Sequence, residues 1–394
     1  MAAQISFFPV GNGDMTLIRL RNDQSILIDI NVTTAADDAS DDRPDVISQL
    51  RERLEKDENG RSFVDVFVLS HPDQDHISGL EKHFHLGPEN DWKKEDDKIL
   101  IKEMWSSPII FRRASKNHKI CEDAKAWAKE ARRRVAQYRE TSSFPDGERI
   151  QIMGEDADGK TDDINEIVVS VGDCIETANS IRDGAFSARL LAPLSPDDQI
   201  DEEELSKNNS SVILRFALQN KENTETCHFL TGGDAGVAIW ERLWELHGET
   251  KSEWLEYDIL QAPHHCSWRS LSYQSWSDLG EKAQVNDNAV SALSQVLEGG
   301  IIISSSKTIK KDDANPPHER AKREYLSMVG GDADRFFCTM EHWDEKSDLI
   351  EFELVGSGIV KKTAKTARAA ATAIGVGGTA THARAHGDVA RSRS

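Results

Sequence analysis

The sequence predicts an α/β protein of layered architecture, on three observations. Short apolar or alternating runs read as strands, and stretches with helical spacing separate them. Chemistry-bearing residues stand directly after several of the apolar runs, where layered α/β enzymes place their sites. With 394 residues the chain can bury one large core or two modest ones, and its 38% hydrophobic content is that of an ordinary globular protein.

The first strands are read at Ile5–Val10, Met15–Leu20 and Ser25–Ile30, with turns at Gly11–Asp14 and Arg21–Gln24. Residues 32–43 are polar and acidic, a loop. Val46, Ile47, Leu50 and Leu54 share one helical face. Val64–Ser70 is a buried strand, and a helix is expected after Ile77–Leu80. A strand pair is read over Ile99–Phe111. Glu122–Arg139 is a charged helix whose Arg132-Arg133-Arg134 cluster is read as a solvated face rather than a phosphate site. Asp146–Thr177 is acidic and mixed, Ala188–Pro193 is a strand, and Asp197–Leu205 is an acidic loop or short helix. Ser211–Leu218 and Thr226–Thr231 form a hairpin, followed by a helix at Val237–His247 and strands at Asp258–Ala262 and Gly300–Ser305. A helix at Pro317–Met328 precedes closing strands at Phe336–Met340 and Leu349–Leu354. Residues 1–356 are thus one folded unit, and 357–394 are a basic Ala/Gly/Thr-rich tail with too little apolar surface to fold.

The formal charge of −21 repels nucleic-acid phosphates and disfavours a general DNA-binding protein, without excluding a local basic groove. No stretch approaches the ~20 apolar residues that span a bilayer, and Met1–Asp14 lacks the features of a secretory signal. A cytoplasmic protein with no membrane association is the expectation. Five scattered cysteines, without a CxxC pair, argue against a disulfide framework and a cysteine-type zinc knuckle.

The chemistry concentrates at His71-Pro72-Asp73-Gln74-Asp75-His76, at the end of the Val64–Ser70 run. Imidazole and carboxylate ligands suit Zn²⁺ or Mn²⁺. Residues 71, 73 and 75 can face one way in a strand-to-loop turn, with His76 turning in at a helix start. Four ligands in so short a span can serve two ions ~3.5–4 Å apart. Asp234 follows a strand and two glycines, placed to bridge two ions, although Gly-Gly-Asp-Ala-Gly alone reads as a turn. His264-His265 also emerge from a strand, and a tandem pair there favours a ligand.

The order of these pieces resembles the metallo-β-lactamase superfamily, in particular its ComEC-like hydrolase domains of DNA uptake. The resemblance runs over about residues 4–355. It is carried by Val10–Asp14, Leu27-Ile28-Asp29, Ser70–Leu80, Asn208–Val212, Phe229–Ala235 and Pro263–Ser267. It implies an αββα sandwich with a dinuclear site at one edge. His71 and Asp73 would bind one ion, Asp75 and His76 the other, and Asp234 would bridge them. One of the tandem histidines would complete the second site, with His264 favoured over His265. The other would contact substrate or protonate the leaving group. Asp14 and Asp29 would orient ligands.

Three departures from the family pattern stand out. Asp73 replaces a common histidine. Lys207-Asn208-Asn209-Ser210 stands where other branches supply a further histidine, leaving Asn209 or water for the first ion. Cys266 replaces a small glycine and is expected to narrow the pocket. His318, in Asn315-Pro316-Pro317-His318, is read as a helix-start cap before a substrate contact. The implied function is a metal-dependent hydrolase, a phosphodiesterase or nuclease using water activated by two divalent ions. Asp75, His264 and His265 are its candidate catalytic residues, and its substrate is a nucleotide or nucleic acid. The alternatives are a hydrolase of another ester or amide class, or a non-catalytic, metal-stabilised binding module.

Overall fold

The computed structural model describes residues 2–33, 43–111, 120–156, 159–182, 184–194, 210–222, 224–311, 315–342 and 349–362. The expected acidic element at Asp197–Leu205, the Asn208-Asn209 pair and the tail beyond residue 362 lie outside them.

The amino-terminal half contributes the strands Gln4–Phe7 (β1), Thr16–Arg19 (β2), Ser25–Ile28 (β3), Ile30–Asn31 (β4), Phe63–Leu69 (β5), Leu100–Ser106 (β6), Arg149–Met153 (β7), Val168–Val169 (β8) and Cys174–Ile175 (β9). Its helices are Val46–Arg51 (α1), Gln74–Ile77 (α2), Leu80–His83 (α3) and Glu122–Thr141 (α4). The other half adds strands Phe186–Ala192 (β10), Ile213–Gln219 (β11), Thr226–Leu230 (β12), Tyr257–Gln261 (β13), Val296–Ser304 (β14), Phe336–Cys338 (β15), Ile350–Val355 (β16) and Gly358–Lys361 (β17). Its helical elements are Val237–His247 (α5), Pro263–Cys266 (α6), Trp276–Leu279 (α7), Asp287–Leu293 (α8) and Glu319–Met328 (α9).

Apart from β4, which bridges to Ile77 and Ser78, these strands make two sheets, ordered β17-β16-β1-β2-β3-β5-β6-β7-β8 and β15-β14-β13-β12-β11-β10-β9. Each is antiparallel on one side and parallel on the other, changing between β3 and β5 in the first sheet and between β12 and β13 in the second. The sheets face each other across an apolar layer, in which Phe7 meets Phe229 edge-on at a centroid distance of 5.6 Å.

The outer face of the first sheet is covered by α4. Its residues Ala124, Trp127, Ala131 and Val135 recur at helical spacing and pack on Phe67, with Trp127 5.0 Å from that ring. On the second sheet, Trp240 and Leu243 of α5, Ala289 and Leu293 of α8, and Tyr325 of α9 form the corresponding layer. The result is the αββα sandwich that the sequence implies.

Four local readings change. Ile99–Phe111 holds one strand, not a pair. Pro108, which has no amide hydrogen for a ladder, opens a short 3-10 turn over Pro108–Phe111. The Arg132–Arg134 cluster is solvated only in part: Arg132 is exposed, but Arg134 is not. Arg134 is buried and donates to Glu130 and to the carbonyls of Arg149 and Ile101, while Arg133 pairs with Glu130 and Glu148. Helix α8 was not foreseen. The folded unit runs to Lys361, because Ile359 and Val360 continue the sheet as β17 against β16. None of the described helices is long and apolar enough to cross a membrane.

Phe7 and Phe229 tie the two sheets together, so Phe7→Ala should destabilise the fold by about 3–5 kcal/mol. The expected reading is a lowered urea midpoint with an unchanged slope. An unmoved midpoint would take Phe7 out of the core.

Candidate metal centre

The proposed ligands arrive from strand ends of both sheets. β5 ends at Leu69, and the chain turns through Ser70 and His71 into the single turn of α2, which carries Asp75 and His76. In the other sheet β12 ends at Leu230 and Gly232-Gly233 lead to Asp234. β13 ends at Gln261 and runs into Pro263–Cys266. The Val212 amide donates to the Ser70 carbonyl at 2.9 Å and holds the two sheets together at this edge.

Glycine is required at two of these joins. Gly233 has φ +47°, and a Cβ there would lie 2.7 Å from Ser211 Cβ. A Cβ at Gly13 would lie 2.6 Å from the Asp75 carbonyl, so only glycine lets the Gly11–Asp14 loop pass under Asp75. His264, His265 and Cys266 have φ of 50°, 53° and 66°, three successive left-handed residues without the freedom of glycine. The α6 segment is therefore a tight turn rather than a helix. The His264 amide anchors it by donating to the Gly233 carbonyl at 2.8 Å.

Asp234 is the meeting point. Its Oδ1 lies 3.0 Å from His76 Nε2 and 3.4 Å from His265 Nε2. Its Oδ2 lies 3.5 Å from both His71 Nε2 and His264 Nε2. Asp75 Oδ2 is 3.4 Å from His265 Nε2, and Asp73 Oδ2 is 3.8 Å from His71 Nε2. One ligand atom each from Asp75, His76, Asp234 and His265 fall within 4.8 Å of one another. This inner half of the centre is compact. The outer half, around His71, Asp73 and His264, is looser.

The other nitrogens of these rings are occupied. His76 Nδ1 is 2.8 Å from Asp29 Oδ2, His265 Nδ1 is 3.1 Å from the Ser305 carbonyl, and His71 Nδ1 is 3.1 Å from Ser70 Oγ. Asp29 also accepts from the Ser70 amide, and Asp14 Oδ1 lies 3.4 Å from His265 Nδ1. A carbonyl or carboxylate only accepts, so His76 and His265 donate through Nδ1, and in the neutral rings Nε2 carries the lone pair. Among the described residues, the Nε2 atoms of His71, His76 and His265 and Oδ1 of Asp234 are buried without a hydrogen bond of proper geometry. Buried polar atoms left so cost free energy. Their convergence, from a donor set of imidazoles and carboxylates, fits divalent cations such as Zn²⁺ or Mn²⁺.

The charges agree with a cation site. Burial opposes ionisation of Asp234, but His76, His265 and His71 outweigh it and hold the carboxyl well below its usual range. Asp75 is lowered likewise, chiefly by His265 and His76 against the cost of burial. Burial disfavours the imidazolium of His76 and His265. Even so, Asp234 and Asp29 raise the first well above its ordinary value, and Asp234, Asp14 and Asp75 raise the second to about 10. His264 moves the other way, lowered by burial. The side chains of His71, His76 and His265 are fully enclosed, whereas Asp73, His264 and Asp75 are 24%, 18% and 41% exposed and form the mouth.

The expected ligands His71, Asp73, Asp75, His76, Asp234 and His264 are all brought together, with one change of place. His265, not His264, stands beside Asp75 and His76, because the left-handed turn sends the two rings to different sides of Asp234. The His265 side chain is fully enclosed, whereas that of His264 is partly exposed. Asp14 lies beside His265 Nδ1 and Asp29 beside His76 Nδ1. Asn209 lies outside the described residues.

Cys266 does not narrow the pocket. Its side chain packs in the helix-covered core of the second sheet, where burial pushes the thiol up. His318 caps α9, its Nδ1 accepting from the Arg320 amide at 3.2 Å. The Ser305 carbonyl that orients His265 was missed; its one signal was the end of the apolar run Ile301–Ile303.

No protein-family model and no curated protein sequence matches the chain. Two solved structures align over most of its length at low similarity. Igni18, described as a novel metallo hydrolase from the hyperthermophilic archaeon Ignicoccus hospitalis KIN4/I, is 10% identical with a TM-score of 0.37, covering 90% of this chain and 100% of its own. An isothiocyanate hydrolase from Delia radicum gut bacteria is 11% identical with a TM-score of 0.36, covering 85% and 95%.

Neighbouring carboxylates raise the pKa of His76 and His265, so their protonated forms compete with a cation and affinity should fall as pH falls. Titration calorimetry with Zn²⁺ at pH 7.5, in buffers of different ionisation enthalpy, should show net proton release on binding. A heat independent of buffer would contradict this competition.

Proposed function

We propose that the protein is a metal-dependent hydrolase that cleaves phosphodiesters at a centre for two divalent ions shared across Asp234. The observation that carries this reading is the division of the Asp234 carboxylate, Oδ1 facing His76 and His265 and Oδ2 facing His71 and His264. Bound there, two ions would supply Lewis acidity that makes water a nucleophile at neutral pH and offsets negative charge on the substrate.

The chain's own residues do the rest. Asp29 and Ser305 fix the rings of His76 and His265, so that both Nε2 atoms face inward. Ser70 binds both His71 and Asp29, coupling the two halves. The enclosed walls exclude bulk water from one side, and Asp73, Asp75 and His264 border the side where substrate enters.

A phosphodiester is the substrate class best served by paired ions, which can hold both the attacking and the leaving oxygen. Exposed Lys307, Lys310 and Lys311 follow Ser305 within six residues, and the Lys307 amide binds Asn12 Oδ1 in the loop under Asp75. They put positive charge on the segment that follows Ser305. The net charge of −21 favours a nucleotide or other small diester over a long polyanion.

The test is a substrate panel on the full chain with Mn²⁺ and Zn²⁺: bis(p-nitrophenyl) phosphate, cyclic nucleotides, single-stranded DNA, carboxylic esters and thioesters. Metal-dependent cleavage of phosphodiesters is expected, abolished by chelator and reduced in Asp234→Asn to the metal-free level. Cleavage confined to carboxylic esters would overturn the substrate class. Full activity in Asp234→Asn would overturn the centre.

A further inference from the structure

The tandem histidines are not equivalent. His265 is enclosed and belongs to the compact inner half with Asp75 and His76. His264 is the adjacent residue, yet its ring centroid is 6.0 Å away and its plane nearly perpendicular, so the two rings address different places. His264 Nε2 stands 3.5 Å from Asp234 Oδ2, the same oxygen that stands 3.5 Å from His71 Nε2. His71 Nε2 is fully buried and, among the described residues, makes no hydrogen bond, so the outer half holds an unsatisfied donor atom as the inner half does. The ring of His264 is positioned by its own backbone, held left-handed and tied to the Gly233 carbonyl next to Asp234.

We propose that His264 is the ligand that completes the outer half of the centre, beside His71, Asp73 and Asp234, so that the two tandem histidines serve two different ions. The inference rests on the two-ion reading above and deepens it. It supplies from the strand end after β13 the imidazole that the chain does not offer in the Lys207–Ser210 segment. It also makes the halves unequal: the inner ion would have four close ligand atoms, and the outer ion a looser set. The outer ion should therefore bind more weakly and exchange first.

Metal content tests this without reference to activity. The wild-type chain, His264→Ala, His265→Ala, His71→Ala and the double variants His71→Ala/His264→Ala and His264→Ala/His265→Ala are equilibrated with Mn²⁺ and with Zn²⁺. Ions per chain are then counted by mass spectrometry, and affinities are read by chelator competition. Wild type should hold two ions, and His264→Ala should keep the tight ion while the other weakens by about tenfold or more. Adding His264→Ala to His71→Ala should cost little further, whereas His264→Ala/His265→Ala should lose both ions. Where the alanine variant fails a circular dichroism check, His264→Gln carries the same expectation.

Two ions bound with wild-type affinity in His264→Ala would overturn the assignment while leaving the two-ion reading intact. So would retention of one tight ion in His264→Ala/His265→Ala, which would place both histidines in one site. A wild-type chain that holds no ion would overturn both.

Discussion

The carboxylate of Asp234 is the constraint on which this end of the molecule depends. It is buried and ionised, with its pKa held down by three imidazoles that approach from two sheets. An isolated buried carboxylate is costly, and pairing or a bound cation offsets part of that cost. Asp234 in turn raises the pKa of His76 and His265 against the cost of burying their imidazolium forms. The same arrangement makes protons the competitors of metal. Asp29, Asp14 and Ser305 stand behind the histidines, so the rings cannot turn to satisfy themselves elsewhere.

The fold exists at this edge to bring strand ends together. In each sheet the ligands follow strands where the pairing changes from antiparallel to parallel: β5 beside β3, and β12 beside β13. Side chains after those strands emerge at one rim, as in other layered α/β proteins. Phe7 and Phe229 fix the separation of the sheets, and the Val212–Ser70 hydrogen bond fixes it again beside the site. Positions a few residues away are tightly specified for the same reason. Gly13 and Gly233 stand where backbone or a neighbouring side chain leaves no room for a Cβ.

Much of this was legible in the sequence. Val64–Leu69, Thr226–Leu230 and Asp258–Gln261 are apolar runs that can only be buried strands, and polar residues placed directly after them must sit at a strand end. His71, Asp75, His76 and Asp234 follow from that rule, whereas Asp29 came only from the family resemblance. What the sequence did not show depends on backbone geometry that period and composition do not encode. The left-handed turn at His264-His265 sends adjacent rings to the two different oxygens of Asp234, and it is His265 that stands beside Asp75 and His76. Arg134 looked solvated because its partners Glu130, Ile101 and Arg149 come from different elements. Helix α8 did carry a signal, since Asn286 caps it by accepting from the Ala289 amide, but its apolar face is short. Cys266 shows a motif comparison misleading on direction: the residue occupies a glycine-type conformation, and its side chain turns into the core.

The most direct measurement is a crystal structure of the Mn²⁺-loaded chain with anomalous scattering recorded at the metal edge. Two peaks ~3.5–4 Å apart are predicted, one beside each oxygen of Asp234, with His76 and His265 on one and His71 and His264 on the other. A single peak, or an Asp234 carboxylate that touches no ion, would contradict the shared two-ion centre.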